Sequence, residues 1–323
     1  MNESVNDNLK RIIAGELQLV EAYLADALHT GSEDFNSLIR PLALSGGKRL
    51  RAQLCLLIAL AGHSNQDQRV AVAAAVEMLH LATLIHDDVL DQAAMRRGHE
   101  AIHCSKGNKV AILSGDYLFA KAFDVVAQIG SVECLKIFSF VISALVEGEF
   151  LQMEDVFRVD QGVERYLIKT QKKTADFIEA CLELGGILGH WNSEDIVLLK
   201  RFGHALGMSF QITDDILDYQ ATEATAGKPV GKDLREGILT YPLLAIVRED
   251  NKAYIEGELR RIETGGDVME FMSYIAKEGG VTEAEKLNAT YVKEAQDALT
   301  ALPAFAGKEI LLGVLMSLAH RKV

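Results

Sequence analysis

No proline occurs between Pro41 and Pro229, and that absence constrains the chain more than any other feature of its sequence. Proline ends or kinks helices, because it lacks an N–H and collides with the preceding turn. The intervening segments repeat apolar residues three and four apart and are rich in Ala and Leu, the pattern and composition of packed helices. The spacing predicts helices near 4–29, 48–61, 66–91, 107–129, 131–158, 161–171, 174–188 and 193–219. Shorter ones follow near 237–249, 254–263, 267–279, 282–301 and 307–321. With no alternating strand pattern, internal repeat or linker, the expectation is an all-α chain folded as a single domain over 1–323.

The 323 residues suffice for a large core, and 49% of them are hydrophobic. The apolar runs are broken, however. Glu77 and His80 interrupt 70–85, and Ile137–Val146 is short, so no membrane span is expected. The N-terminus, MNESVNDNLKRII, has no cleavable apolar segment, which makes the cytoplasm the expected location. Cys55, Cys104, Cys134 and Cys181 stand singly, as reduced thiols do, and suggest neither a zinc framework nor disulfides. A net charge of −13 argues against nucleic acid and against nonspecific binding to anionic lipid.

Two acidic clusters stand out, Asp87-Asp88-Val89-Leu90-Asp91 and Asp214-Asp215-Ile216-Leu217-Asp218. On a helix, residues four apart share a face about 6 Å apart along the axis, so Asp87 with Asp91, and Asp214 with Asp218, each present two carboxylates to one side. Like charges so placed repel unless cations hold them, and an all-oxygen set suits hard Mg²⁺. One such string alone fits a solvated face equally well. Here each follows a core-like stretch, MLHLATLI and GMSFQIT, which places the carboxylates at the end of an apolar interior.

Basic residues accompany the acids. Gly46-Gly47-Lys48-Arg49-Leu50-Arg51 is expected to open a helix whose free N–H groups favour an anion, with Lys48 and Arg51 adding charge. Arg96-Arg97 lies in the loop Gln92–Gly107 after the first cluster. Lys228 and Lys232 lie in the loop Gln220–Gly237 after the second, and Lys173-Thr174 falls at an expected break between helices. Together these supply counter-charges for more than one diphosphate.

These elements, in this order, resemble the trans-prenyltransferases of the polyprenyl diphosphate synthase family. The matched stretches are GGKRLR at 46–51, LHLATLIHDDVLDQAAMRRG at 79–98, Gly148, Glu149 and Gln152 in EGEFLQ, KT at 173–174, FQITDDILDY at 210–219 and GKPVGKD at 227–233. The resemblance implies an isoprenoid-synthase helical bundle around a deep central cavity, normally dimeric, with three Mg²⁺ ions per active site. It implies that Asp87 and Asp91 ligate Mg²⁺ with Asp88 assisting, and that Asp214 holds a further Mg²⁺ supported by Asp215 and Asp218. Lys48, Arg51, His80 and Arg97 would bind isopentenyl diphosphate. Arg96, Lys173, Thr174, Gln211, Lys228 and Lys232 would serve the allylic diphosphate. One departure is Glu236-Gly237-Ile238, where many members read Glu-Gly-Lys. Such a loss also resembles the larger subunit of two-component enzymes, so a homodimer and a heteromer with a small subunit both stand as expectations.

Ala82 and Thr83, five and four residues before Asp87, are small where shorter-chain members carry an aromatic. From Asp87 back to Gln66 is 21 residues. That is about 31 Å of helix, room for about six isoprene units of roughly 5 Å. The expected product is therefore hexaprenyl to octaprenyl, built on a farnesyl or geranylgeranyl primer, with Met78, Leu79, Phe119 and Phe123 as candidate floor residues. A shorter geranylgeranyl product is the alternative. Product release leaves peripheral membrane contact open. Competing readings fit less well. A class I terpene cyclase lacks the repeated aspartates, and a His-Asp phosphohydrolase built on His86-Asp87 needs more histidines. A scaffolding subunit would have shed its aspartates, and transfer to a quinone ring calls for membrane spans.

Overall fold

The computed structural model describes residues 2–220 and 231–319, with side chains from residue 6 onward. It is all-helical apart from one two-stranded hairpin. The chain divides into two compact units, Met1–Ser139 with Cys181–Ile196 and Ala304–Gly307, and Phe140–Ala180 with Val197–Pro303 and Lys308–Val323.

The first unit holds α1 (Asn2–Ala27), α2 (Glu33–Leu44), α3 (Leu50–Ala61), α4 (Gln66–Leu90), the strands β1 (Met95–Arg96) and β2 (His99–Glu100), α5 (Ile102–Lys106) and α6 (Asn108–Ile129). It also holds the start of α7 (Val132–Glu154). Helix α4 is its axis and packs on α6, α3 and α1. Val70 to Leu79 are buried without interruption, followed by Leu81, Ala82 and Ile85. By length and composition α4 could cross a bilayer, contrary to expectation, but 72% of its most apolar window is buried inside the protein. Cys55, Cys134 and Cys181 are buried and unbridged, and Cys104 is exposed.

Helix α2 was not expected, because Pro41 lies inside it. The helix tolerates it because Pro41 sits near the C-terminus on the exposed side, while Ile39, Leu42 and Ala43 are buried. Ser32 caps its start by accepting from Phe35 N–H at 3.4 Å, and Glu33 and Asp34 favour the helix dipole.

The second unit holds the rest of α7, α8 (Gly162–Thr170), the start of α9 (Asp176–Leu188), most of α10 (Ser193–Gln220), α11 (Lys232–Arg235) and α12 (Tyr241–Leu244). It continues with α13 (Lys252–Glu263), α14 (Met269–Lys277), α15 (Gly280–Ala301) and α16 (Lys308–Ala319). The helix expected over 237–249 is reduced to α12, since Gly237 takes φ 75° and Pro242 permits only a helix start. The expected break at Lys173 is instead a π-helical turn, Gln171–Ala175, that joins α8 to α9. Helix α10 is tied to α15 and α16 through Asn288, which accepts from Ser209 Oγ at 2.6 Å and donates to Thr213 Oγ1 at 3.1 Å and Ala319 O at 3.3 Å.

Candidate active site

In the first unit α4 ends on the first acidic cluster. Asp91 forms its C-cap, donating its backbone N–H to Asp87 O at 2.8 Å. Asp87 is half-buried and Asp91 exposed, whereas Asp88, about 100° further round the helix than Asp87, is 3% exposed. Arg96 closes on Asp88, donating from Nε at 2.8 Å and Nη2 at 2.5 Å to Oδ1.

The hairpin explains how adjacent arginines come to act separately. Met95 pairs with Glu100 and Arg96 with His99, which leaves Arg97-Gly98 as a two-residue turn. Both residues take positive φ, 50° and 78°, as a type I′ turn requires. Gly98 does so freely, whereas an arginine in that conformation costs about 1–2 kcal/mol. The result sends Arg96 to Asp88 and leaves Arg97 Nη1 buried with no hydrogen-bond partner among the described residues.

His80 stands two turns back on α4, with Nε2 3.4 Å from Arg51 Nη1. Burial pushes its pKa well down, and Arg51, Arg97, Arg49 and Arg96 push it further, so it is a neutral imidazole set among guanidiniums. Burial lowers Arg51 and Arg97 too. The structure thus brings Arg51, His80 and Arg97 together, while Lys48 is exposed on the preceding loop.

That loop corrects one expectation. Gly46 and Gly47 take φ 77° and 112°, and Arg49, at φ 45°, is the N-cap, so α3 starts only at Leu50. Arg49 is buried, and each of its three guanidinium nitrogens donates a hydrogen bond: to Glu21 Oε1 at 2.8 Å, to Glu77 Oε2 at 3.1 Å and to the carbonyl of Ala43. Glu77 Oε1 also accepts from Ala52 N–H at 3.2 Å. A buried carboxylate therefore already sits where a free helix N-terminus was expected to receive an anion.

In the second unit the other cluster lies within the last two turns of α10. Asp214 is half-buried. Asp215, 2% exposed, accepts from Tyr166 Oη at 2.5 Å and from Gln211 Nε2 at 2.9 Å. Burial nonetheless pushes its carboxyl up to about 6. Asp218 accepts from the backbone N–H groups of Lys232 at 3.3 Å and Asp233 at 3.4 Å, and burial raises it. Gln211 Oε1 accepts from Thr174 Oγ1 at 2.9 Å, so Thr174, Gln211, Asp215 and Tyr166 form one chain of hydrogen bonds. Lys173 Nζ donates to Glu149 Oε2 at 2.5 Å. A Cβ on Gly148 would lie 2.7 Å from Lys173 Cγ, and one on Gly207 would lie 2.5 Å from Ala175 Cα, so both glycines admit the π-helical turn. Lys232 is exposed, its Nζ 3.5 Å from Glu236. Lys228 lies outside the described residues.

Several participants were missed. Asp233 joins the second cluster; burial first, then Asp215 and Asp218, raise its carboxyl to about 7. Tyr166 and Glu77 are buried partners of named residues and carry no motif of their own. Asp176, Glu179 and His204 form a group of possible metal ligands. A cleft of about 350 Å³ in the same unit, lined by Phe157, Arg158, Lys252 and Arg260 among others, contains none of the expected site residues. Ala82 is fully buried on α4, and Thr83 Oγ1 donates to His80 O at 2.8 Å.

Residues 32–275 match the polyprenyl synthetase family. The chain belongs to that family. Heptaprenyl diphosphate synthase component 2 of Geobacillus stearothermophilus is 32% identical to it over 312 residues, 96% of this chain and 97% of the relative. Nonaprenyl diphosphate synthase of Mycobacterium tuberculosis is 34% identical over 299 residues, 90% of this chain and 88% of the relative. Among solved structures, the polyprenyl synthase from Caulobacter crescentus CB15 complexed with calcium and isoprenyl diphosphate superposes with a TM-score of 0.88 at 33% identity over 98% of each chain. This polyprenyl synthetase is thus a prenyltransferase with the all-α fold of the isoprenoid synthases, as its motifs suggested.

Proposed function

We propose that this polyprenyl synthetase condenses isopentenyl diphosphate with an allylic diphosphate, farnesyl or geranylgeranyl, to give an all-trans product of hexaprenyl to octaprenyl length. The observation that carries the reading is the half-buried group of Arg51, His80 and Arg97. Arg51 and Arg97 lose solvation there, Arg97 Nη1 lacks a partner among the described residues, and the neutral ring adds no charge. Such a group favours a polyanion, and its histidine stands on the helix that ends in Asp87–Asp91.

In this reading Lys48, Arg51, His80 and Arg97 hold isopentenyl diphosphate. Arg96, Lys173, Thr174, Gln211, Lys228 and Lys232 serve the allylic diphosphate. The donor set of the two acidic clusters is all oxygen and fits Mg²⁺, three ions in total, with Asp87, Asp91, Asp214 and Asp218 as outer carboxylates. Asp88 and Asp215, tied to Arg96 and to Tyr166 with Gln211, support them. When bound, Mg²⁺ neutralises charge gathering on the departing diphosphate. The allylic C–O bond ionises, the alkene attacks the carbocation, and a proton is lost to the released diphosphate. No side-chain nucleophile takes part.

Product length rests on Ala82 and Thr83, whose small side chains leave α4 without an aromatic block below the first cluster. The product of the heptaprenyl relative falls within the length proposed, and that of the nonaprenyl relative is one unit above it. The chain is read as one domain over 1–323, cytoplasmic and homodimeric. A second reading, a catalytic subunit that needs a small partner, is favoured by the likeness to a component 2 protein and by Ile238 in place of a lysine. Incubating the purified chain alone with Mg²⁺, labelled isopentenyl diphosphate and farnesyl diphosphate tests both. A product of six or more isoprene units supports the self-sufficient synthase. Turnover only when a small partner is added supports the second reading. A folded chain that forms no isoprenoid product in either setting refutes both.

A further inference from the structure

We propose that Asp176, Glu179 and His204 form a Zn²⁺ site separate from the aspartate clusters and independent of the prenyl reaction. Asp176 and Glu179 lie one turn apart on one face at the start of α9, and His204 lies on α10. One ligand atom from each side chain lies within 4.8 Å of the other two. His204 Nδ1 is 3.8 Å from Glu179 Oε2, too far for a hydrogen bond, and neither ring nitrogen makes one among the described residues. Two ligands each about 2.1 Å from a tetrahedral ion stand about 3.4 Å apart, so a closure of a few tenths of an ångström brings this pair to bonding geometry.

The surroundings favour a metal over a chance grouping. Asp176 is 4% exposed, and its Oδ1 is oriented by Gln171 Nε2 at 3.2 Å, the outer-shell bond a ligating carboxylate ordinarily has. His204 packs edge-on against Tyr291, ring centroids 6.5 Å apart, which fixes the imidazole plane. The rival occupant is Lys200, whose Nζ lies 3.5 Å from Glu179 Oε1. Its side chain is 36% exposed, so it can swing into solvent when an ion enters.

An imidazole with two carboxylates is a borderline donor set that suits Zn²⁺ and is poorly suited to Mg²⁺, while three protein ligands leave a fourth position for water. His204 precedes Asp214 by ten residues, about 15 Å along α10, so the two sites do not share ligands. An ion here fastens the start of α9, directly after the π-helical turn that carries Lys173 and Thr174, to the helix that ends in the second aspartate cluster.

The test uses the full chain in saturating Mg²⁺, titrated with ZnCl₂ by calorimetry while the imidazole nitrogens are followed by NMR. The expected result is one Zn²⁺ per chain, a shift of the His204 ring signals, and affinity reduced in His204→Gln and in Asp176→Asn by more than the roughly ten- to hundredfold that loss of an outer-shell partner costs. Lys200→Met, which removes the competing ammonium, tightens binding and gives an independent reading should either ligand variant fold poorly. Zn²⁺ bound equally well by the ligand variants, a motionless His204 signal, or no tightening in Lys200→Met would mean an ion-pair cluster without a metal and would overturn the assignment.

Discussion

Replacing Arg49 with methionine gives the most direct test of how the first unit is held together. The side chains of Arg49 and Glu77 are 5% and 3% exposed and 3.1 Å apart. Removing one member of such a pair leaves a buried charge uncompensated, at about 3–5 kcal/mol. Glu21 is 35% exposed, and its bond to Arg49 adds at most about 1 kcal/mol after solvent screening. Methionine gains nothing from the backbone, since φ at this position stays left-handed. The expected loss is therefore about 4 kcal/mol, a large part of the roughly 5–15 kcal/mol available to a folded domain. In Arg49→Met/Glu77→Leu both buried charges are gone, while the Ala52 N–H loses its acceptor and the Ala43 carbonyl loses a donor, so the double variant should be more stable than the single one and lie within about 2–3 kcal/mol of wild type. Urea unfolding followed by circular dichroism measures all three proteins. Steady-state kinetics should show the KM for isopentenyl diphosphate rising more than kcat falls, because Arg51 sits one residue beyond Leu50. A single variant losing less than about 1 kcal/mol, or a double variant as unstable as the single one, would refute the buried-pair argument.

Three further outcomes follow from the same geometry. The folded-state pKa of His80 lies below its ordinary 6.5, so the unfolded chain takes up the proton first, and this stability is present above pH 6.5 and lost as pH falls below it. His80→Gln should flatten the acid limb of a stability–pH curve, and unchanged slopes would count against a buried neutral ring. Gly207→Ala places a Cβ 2.5 Å from Ala175 Cα, backbone that cannot yield as a side-chain tip can. A thermal melt should show a loss of about 1–3 kcal/mol, with the KM for the allylic diphosphate raised as Thr174 moves away from Gln211. Ala82→Phe should shorten the product by at least one isoprene unit on a chain-length separation. Full-length product from a folded variant would end the account of length given above.

What could be read in the sequence was local. Helix positions over 66–220 follow from apolar periodicity and from missing prolines, and the structure moves their ends by only a few residues outside the 131–158 segment, where α7 stops at Glu154. The exceptions are tertiary. Helix α2 survives Pro41 because its buried face outweighs one lost hydrogen bond, and 237–249 fails because Gly237 fits under the Phe157 ring in a conformation a helix excludes. Site residues behaved alike. Arg51, His80 and Arg97 carry charge in motifs that can be seen, whereas Glu77 read only as a break in an apolar run. Its role depends on Arg49, 28 residues away. Asp176 and His204 likewise have no shared spacing that marks a site before the helices pack.

The two aspartate clusters obey one rule for a reason that lies in helix geometry. Three carboxylates within five residues cannot all face one side, and the middle one, about 100° round from the first, turns into the protein. A buried carboxylate must be paired, so each middle aspartate found a partner, and the partners differ. Asp88 meets the full positive charge of Arg96, whereas Asp215 meets the neutral donors Tyr166 and Gln211. Neutral donors offset burial only in part, which is why Asp215 is pushed up to about 6, while burial and then the charges of Asp215 and Asp218 raise Asp233 to about 7. The first cluster therefore brings one of its own counter-charges, while in the metal-binding role proposed for the second its carboxylates would lean more heavily on bound cations to stay ionised.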